Sequence, residues 1–115
     1  MNILSVSIIL SLSLSFSSLA LEQIDITLPV DAQHEECFFL DQESVITYQY
    51  KTTIPLDFNL HYHDDNGMNY LIELPMSLVN KKSVKQLTSQ QVYCLMWVNS
   101  STHEAELTYE FTVEK

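Results

Sequence analysis

The stretch Val92-Tyr93-Cys94-Leu95-Met96-Trp97-Val98 is apolar at nearly every position and runs into Asn99-Ser100-Ser101. Successive side chains of a strand point to opposite faces. Val92, Cys94, Met96 and Val98 therefore share one face, and Tyr93, Leu95 and Trp97 the other. A strand apolar on both faces must be covered on both sides. This one carries one of the two cysteines and the only tryptophan of the chain, and the remaining elements are read as its surroundings.

Those elements alternate like strands. Ile24, Ile26 and Leu28 alternate with Asp25 and Thr27 ahead of Pro29. Asp31 to Glu36 reads as a polar loop, Cys37-Phe38-Phe39-Leu40 as a short strand, Asp41 to Ser44 as a turn, and Val45 to Lys51 as a returning strand. Leu56, Phe58, Leu60 and Tyr62 share one face of the next strand, with Asp57, Asn59, His61 and His63 on the other. Asp64-Asp65-Asn66-Gly67 holds the only glycine. Asn-Gly between alternating runs predicts a hairpin, with Met68 to Leu74 returning and Pro75 ending it. Asn80-Lys81-Lys82 reads as a turn and Ser83 to Leu87 as a short strand. Asn99 to Thr102 reads as a turn. His103 to Glu114 places Ala105, Leu107, Tyr109, Phe111 and Val113 inward. No helical period is present. The pattern predicts an all-β fold, an antiparallel β-sandwich of about 7–8 strands.

Residues 1–20 are set aside as a secretory signal peptide. Ile3 to Ala20 is apolar or serine, and Ser18-Leu19-Ala20 presents small residues at the positions a signal peptidase reads. A membrane anchor is the alternative, disfavoured by the serines and the short apolar length. Residues 21–115 then form one domain, with no membrane span after cleavage. They carry all 15 acidic residues and five lysines, for a net charge of −10. That charge disfavours nucleic acid and anionic membranes and favours basic surfaces. Two cysteines in a secreted chain point to one disulfide, Cys37 with Cys94; two buried thiols are the alternative. Asn99-Ser100-Ser101 fits an N-glycosylation acceptor in a eukaryotic host.

Glu35-Glu36-Cys37-Phe38-Phe39, an acidic turn and Val45-Ile46-Thr47-Tyr48-Gln49-Tyr50 resemble the opening of a GOLD (Golgi dynamics) domain. Leu56 to Leu60, Tyr93-Cys94 and Val98-Asn99 resemble its later strands. The likeness spans about residues 24 to 114. GOLD domains are the lumenal modules of cargo receptors cycling between endoplasmic reticulum and Golgi. The resemblance implies a jelly-roll type sandwich, a disulfide across it, and protein–protein recognition or self-association, linked to cargo sorting. This sequence departs from the pattern in two respects. It stops at Lys115, where those receptors continue into a coiled coil, a membrane helix and a cytosolic tail, so a complete receptor is not expected. Gln90-Gln91 stand where a glycine is usual.

His61-Tyr62-His63 is the one pattern with metal-ligand character. Two imidazoles two apart on a strand face the same way and suit zinc or copper; an incidental polar stripe is the plainer reading, and His34 and His103 are the only other histidines. Met96 and Trp97 point to opposite faces and read as core. Asp64 to Gly67 lacks the ligand spacing of a calcium loop. Glu104, Glu106, Glu110 and Glu114 read as a solvated face. There is no G-x-S-x-G or C-x-x-C pattern, and an enzyme is not expected. The expected function is therefore a soluble binding module, secreted or in the lumen of the secretory pathway, that recognises a protein partner. A metal-binding sandwich using His61 and His63 is the alternative, and an apolar ligand between sheets a third reading. No K-D-E-L type retention signal is present, which favours export.

Overall fold

The computed structural model describes residues 22–85 and 91–114. The leader expected at 1–20 lies outside them, as does part of the strand expected at Ser83 to Leu87. The described chain is an antiparallel all-β sheet of six strands: β1 (Ile24–Leu28), β2 (Gln33–Leu40), β3 (Val45–Asp64), β4 (Gly67–Lys85), β5 (Gln91–Val98) and β6 (Ala105–Glu114). No helix among the described residues is long and apolar enough to cross a membrane.

Six strands replace the expected seven or eight because two are twice the expected length. β3 and β4 are 20 and 19 residues long. The first part of β3, Val45 to Thr52, pairs with β6; the second part, Asp57 to Tyr62, pairs with β5. β4 pairs along the opposite side of both parts, with register shifts between Lys51 and Leu56. The sheet thus bends at Pro55 into two halves. One holds β1, β6, the start of β3 and the end of β4. The other holds β2, β5, the end of β3 and the start of β4.

Pro29 follows the end of β1 as expected, but Pro75, also expected to end a strand, does not, and Pro55 too lies within one. Pro55 lies between the stretches of β3 that pair with β6 and with β5, where no ladder needs its missing N–H. Pro75 lies on β4, whose only strand partner among the described residues is β3. Proline is tolerated on such an edge. Beside it, Met76 takes a left-handed backbone (φ 52°), and its amide donates to Asp57 Oδ1 at 3.0 Å. Asn80-Lys81-Lys82, expected as a turn, continues β4 opposite Tyr48 to Tyr50. The predicted hairpin is present. Asp64 pairs with Gly67, so Asp65 and Asn66 form the turn and Gly67 follows at φ 116°.

The inner faces of the two halves meet in an aromatic core. Trp97 on β5 is fully buried. Its ring centroid lies 4.6 Å from Tyr109 on β6, 5.3 Å from Phe58 and 5.6 Å from Tyr50 on β3. Phe38 on β2 stacks on Phe111 on β6 at 5.5 Å. All of these contacts except Trp97 with Phe58 join strands of different halves, a sandwich-like arrangement. Asp31 to Glu36, expected as a loop, is largely strand, because His34 and Glu36 also face inward. The Tyr109 hydroxyl donates to Glu36 Oε1 at 2.6 Å. Its single proton is then committed, so His34 Nε2, 2.8 Å away, is the donor to its oxygen. Burial, followed by the Glu36 carboxylate, pushes the Tyr109 hydroxyl well above its ordinary range.

Candidate functional site

The outer face of the β2 half gathers most of the residues with chemical capacity. Register sets Cys37 directly opposite Cys94, and Cys94 directly opposite His61. The cysteines form the expected disulfide, with Cα atoms 4.1 Å apart. It joins neighbouring strands of one half, however, and does not cross between the halves as the family resemblance implies. Directly opposed cysteines on adjacent strands are close enough to bridge without a crossing. Cys37 is exposed and Cys94 is buried. A disulfide fits an oxidising compartment.

His61 and His63 share this face, as their spacing predicts, with ring centroids 4.9 Å apart. Their surroundings differ. His63 is exposed, whereas His61 is completely buried. His61 lies under Tyr70 of β4 at 5.9 Å. Its Nδ1 donates to Asn59 Oδ1 at 2.6 Å. Its Nε2 points toward Glu35 on β2, 3.4 Å from Oε2, and makes no hydrogen bond among the described residues. Burial pulls the His61 pKa below the ordinary 6.5; the Glu35 carboxylate pushes it back up, and His63 adds to the lowering. Glu35 escapes detection by sequence because its segment reads as a loop. Strand alternation extended two residues upstream from Cys37 puts it on this face.

Asn99, the expected glycan acceptor, is completely buried. Its Nδ2 donates to the carbonyls of Leu28 at 3.0 Å and His103 at 2.8 Å. Its Oδ1 accepts from the Ser101 amide and hydroxyl. A glycan on that nitrogen and this packing exclude one another.

The second feature is β4 itself. Among the described strands it pairs only with β3, so its other edge has no strand partner along its 19 residues. It carries six of the ten exposed large hydrophobic residues: Met76 and Val79 (67% exposed each), Leu78, Tyr70, Leu71 and Met68. Phe39 on β2 (60% exposed) and its register partner Val92 on β5 are also exposed, on the far side of β3. Three of the chain's five lysines, Lys81, Lys82 and Lys85, stand at the far end of β4. Lysines on an edge discourage strand addition. The stretch from Met68 to Val79 has none. An open depression lies on the outer face of the other half, lined by Gln49, Lys51, Val79, Lys81, Thr108 and Glu110.

No protein-family model matches the chain, and no curated protein matches it. Among solved structures, it is similar to a de novo designed double-stranded β-helix determined by solution NMR. That likeness has 13% identity, covers 79% of this chain and 99% of the designed one, and has a TM-score of 0.47.

Proposed function

We propose that this chain is a secreted or lumenal protein-recognition module that binds an extended segment of its partner along β4. The supporting observation is the unpaired β4 edge with its six exposed hydrophobic residues between Met68 and Val79. An unpaired edge offers main-chain hydrogen bonds to an added strand, and alternate side chains supply specificity. Long edges of this kind are otherwise blunted or covered. On the GOLD resemblance, the same surface serves recognition or self-association in a jelly-roll type sandwich, with a role in cargo sorting. The net charge of −10 favours a partner with basic character outside the contacted segment.

The test places a photo-crosslinking residue at Met76, Val79 or, as a control, Glu104 in the chain passing through its own secretory pathway. The proposal expects protein adducts at Met76 and Val79 and few at Glu104. Val79→Lys should remove the adduct at Met76 without changing thermal stability. Equal labelling at all three positions would count against β4.

A further inference from the structure

We propose that reduction of the Cys37–Cys94 disulfide opens a metal site on the outer face, with Cys37, Cys94, Glu35 and His61 as four ligands for a zinc-class divalent ion. This inference is independent of recognition along β4.

Three observations carry it. First, a carboxylate oxygen of Glu35 and the sulfurs of Cys37 and Cys94 all lie within 4.8 Å of one another. Second, the buried His61 Nε2 stands beside this group, 3.4 Å from Glu35 Oε2 and without a hydrogen-bond partner among the described residues. Its ring donates from Nδ1 to Asn59 Oδ1, so in the neutral ring the bare lone pair is on Nε2. That lone pair faces the Glu35 carboxylate at 3.4 Å. Two acceptors held face to face repel unless a cation lies between them. An imidazole whose other nitrogen donates to a fixed oxygen is the usual arrangement of a metal-bound histidine. Third, the group is reachable, because Cys37 is exposed and the Glu35 side chain is 35% exposed.

In the oxidised chain the sulfurs bond to each other and are poor ligands. A dithiol reductant transfers two electrons and two protons to them, giving two protein thiols and the reductant's own disulfide. A divalent ion then displaces both thiol protons to solvent and binds two thiolates, the Glu35 carboxylate and His61 Nε2. Two sulfurs, one nitrogen and one oxygen make a closed tetrahedral set of the kind zinc accepts. His63, expected beside His61 as a ligand, stays outside it, exposed to solvent.

The test uses the full chain recovered with its disulfide intact. Cobalt(II) is titrated into oxidised protein and, without oxygen, into protein reduced by a phosphine. The reduced protein should bind one equivalent, with visible bands of tetrahedral intensity and a near-ultraviolet thiolate-to-cobalt band. Zinc should displace both signals. The oxidised protein should lack the thiolate band. His61→Ala and Glu35→Ala should each weaken binding at least about tenfold, and Asn59→Ala should weaken it about 10-fold by freeing the ring. Far-ultraviolet circular dichroism follows the sheet throughout. Equal affinity in both redox states, or unchanged affinity in His61→Ala, overturns the site. A reduced chain that loses its sheet and does not regain it with the ion overturns it too.

Discussion

Replacing Asn99 by alanine should cost far more than a turn residue ordinarily does. The side chain makes four hydrogen bonds: two from Nδ2, to the carbonyls of Leu28 and His103, and two accepted by Oδ1, from the amide and hydroxyl of Ser101. Its main chain is held as well. The Asn99 amide donates to Ala32, and its carbonyl accepts from Asp31, each at 2.9 Å. One residue therefore ties the end of β1, the turn before β2, the end of β5 and the approach to β6. The single Ser101 hydroxyl proton lies within reach of both Asn99 Oδ1 and the His103 carbonyl, so in Asn99→Ala it turns wholly to that carbonyl. The Leu28 carbonyl loses this donor in a buried place. Leaving such a group unsatisfied costs about 1–3 kcal/mol, and the remaining lost bonds bring the expected total to about 2–4 kcal/mol. For a domain of this size, that lowers the melting temperature by at least about 8 °C. Asn99→Asp should be worse, because it keeps the Ser101 contacts but buries a negative charge against two carbonyls. Thermal and urea unfolding, followed by circular dichroism, measure both variants. A loss in Asn99→Ala within about 0.5 kcal/mol, the range of an ordinary surface substitution, would refute the reasoning. So would a glycan on Asn99 in a chain of unchanged stability.

Replacing both cysteines by alanine should lower stability by roughly 4 kcal/mol, the chain-entropy value for a loop of this length, read as a lower urea midpoint; an unchanged midpoint would remove the disulfide from the stability argument. Trp97→Ala should cost about 3–5 kcal/mol, whereas Trp97→Phe should cost less than half as much. The indole N–H has no hydrogen-bond partner among the described residues, so phenylalanine loses volume but no bond; equal losses would contradict this. His61 binds its proton more weakly folded than unfolded, where the ordinary value is 6.5. The unfolded chain therefore takes up more protons as pH falls below about 6.5, and stability should decline there and level off below the folded value. His61→Gln should flatten that decline in urea titrations from pH 7.5 to 4.5, and parallel slopes in the two proteins would contradict the assignment. The on-rate for a basic partner should fall as salt rises, and stopped-flow rates indifferent to salt would exclude electrostatic steering.

The alternation of side chains was legible in β5, β6 and the second part of β3. Tyr93, Leu95 and Trp97 face the core, Leu56, Phe58 and Leu60 are buried, and Ala105, Leu107 and Tyr109 line the inner face of β6. The hairpin at Gly67 was legible from turn chemistry. Strand lengths were not. Proline stops a strand only where its N–H is needed, and neither Pro55 nor Pro75 occupies such a position. The loop reading of Asp31 to Glu36 failed for a related reason. His34 and Glu36 face inward because Tyr109 supplies a partner from a strand more than 70 positions away, and no local pattern announces that. The same gap hid Glu35 from the candidate site, although the shared face of His61 and His63 was plain. Asn99 looked like an exposed acceptor because Asn-Ser-Ser marks a turn; that the turn folds its side chain inward depends on β1.

The pairing of the first strand with the last sets a timetable for the chain. Among the described strands β1 pairs with β6 alone, with Ile24 opposite Tyr109. A chain delivered from its N-terminus presents β1 first and β6 last. The β3–β4 hairpin, by contrast, closes locally at Asp64 and Gly67 and can zip as soon as both strands have emerged. Distant pairings close more slowly than local ones. Synthesis therefore passes through a stage in which a long hairpin is formed while Ile24, Ile26 and Leu28 still wait for cover. Any helper acting on this protein during its birth has the apolar face of β1 to shield until β6 arrives.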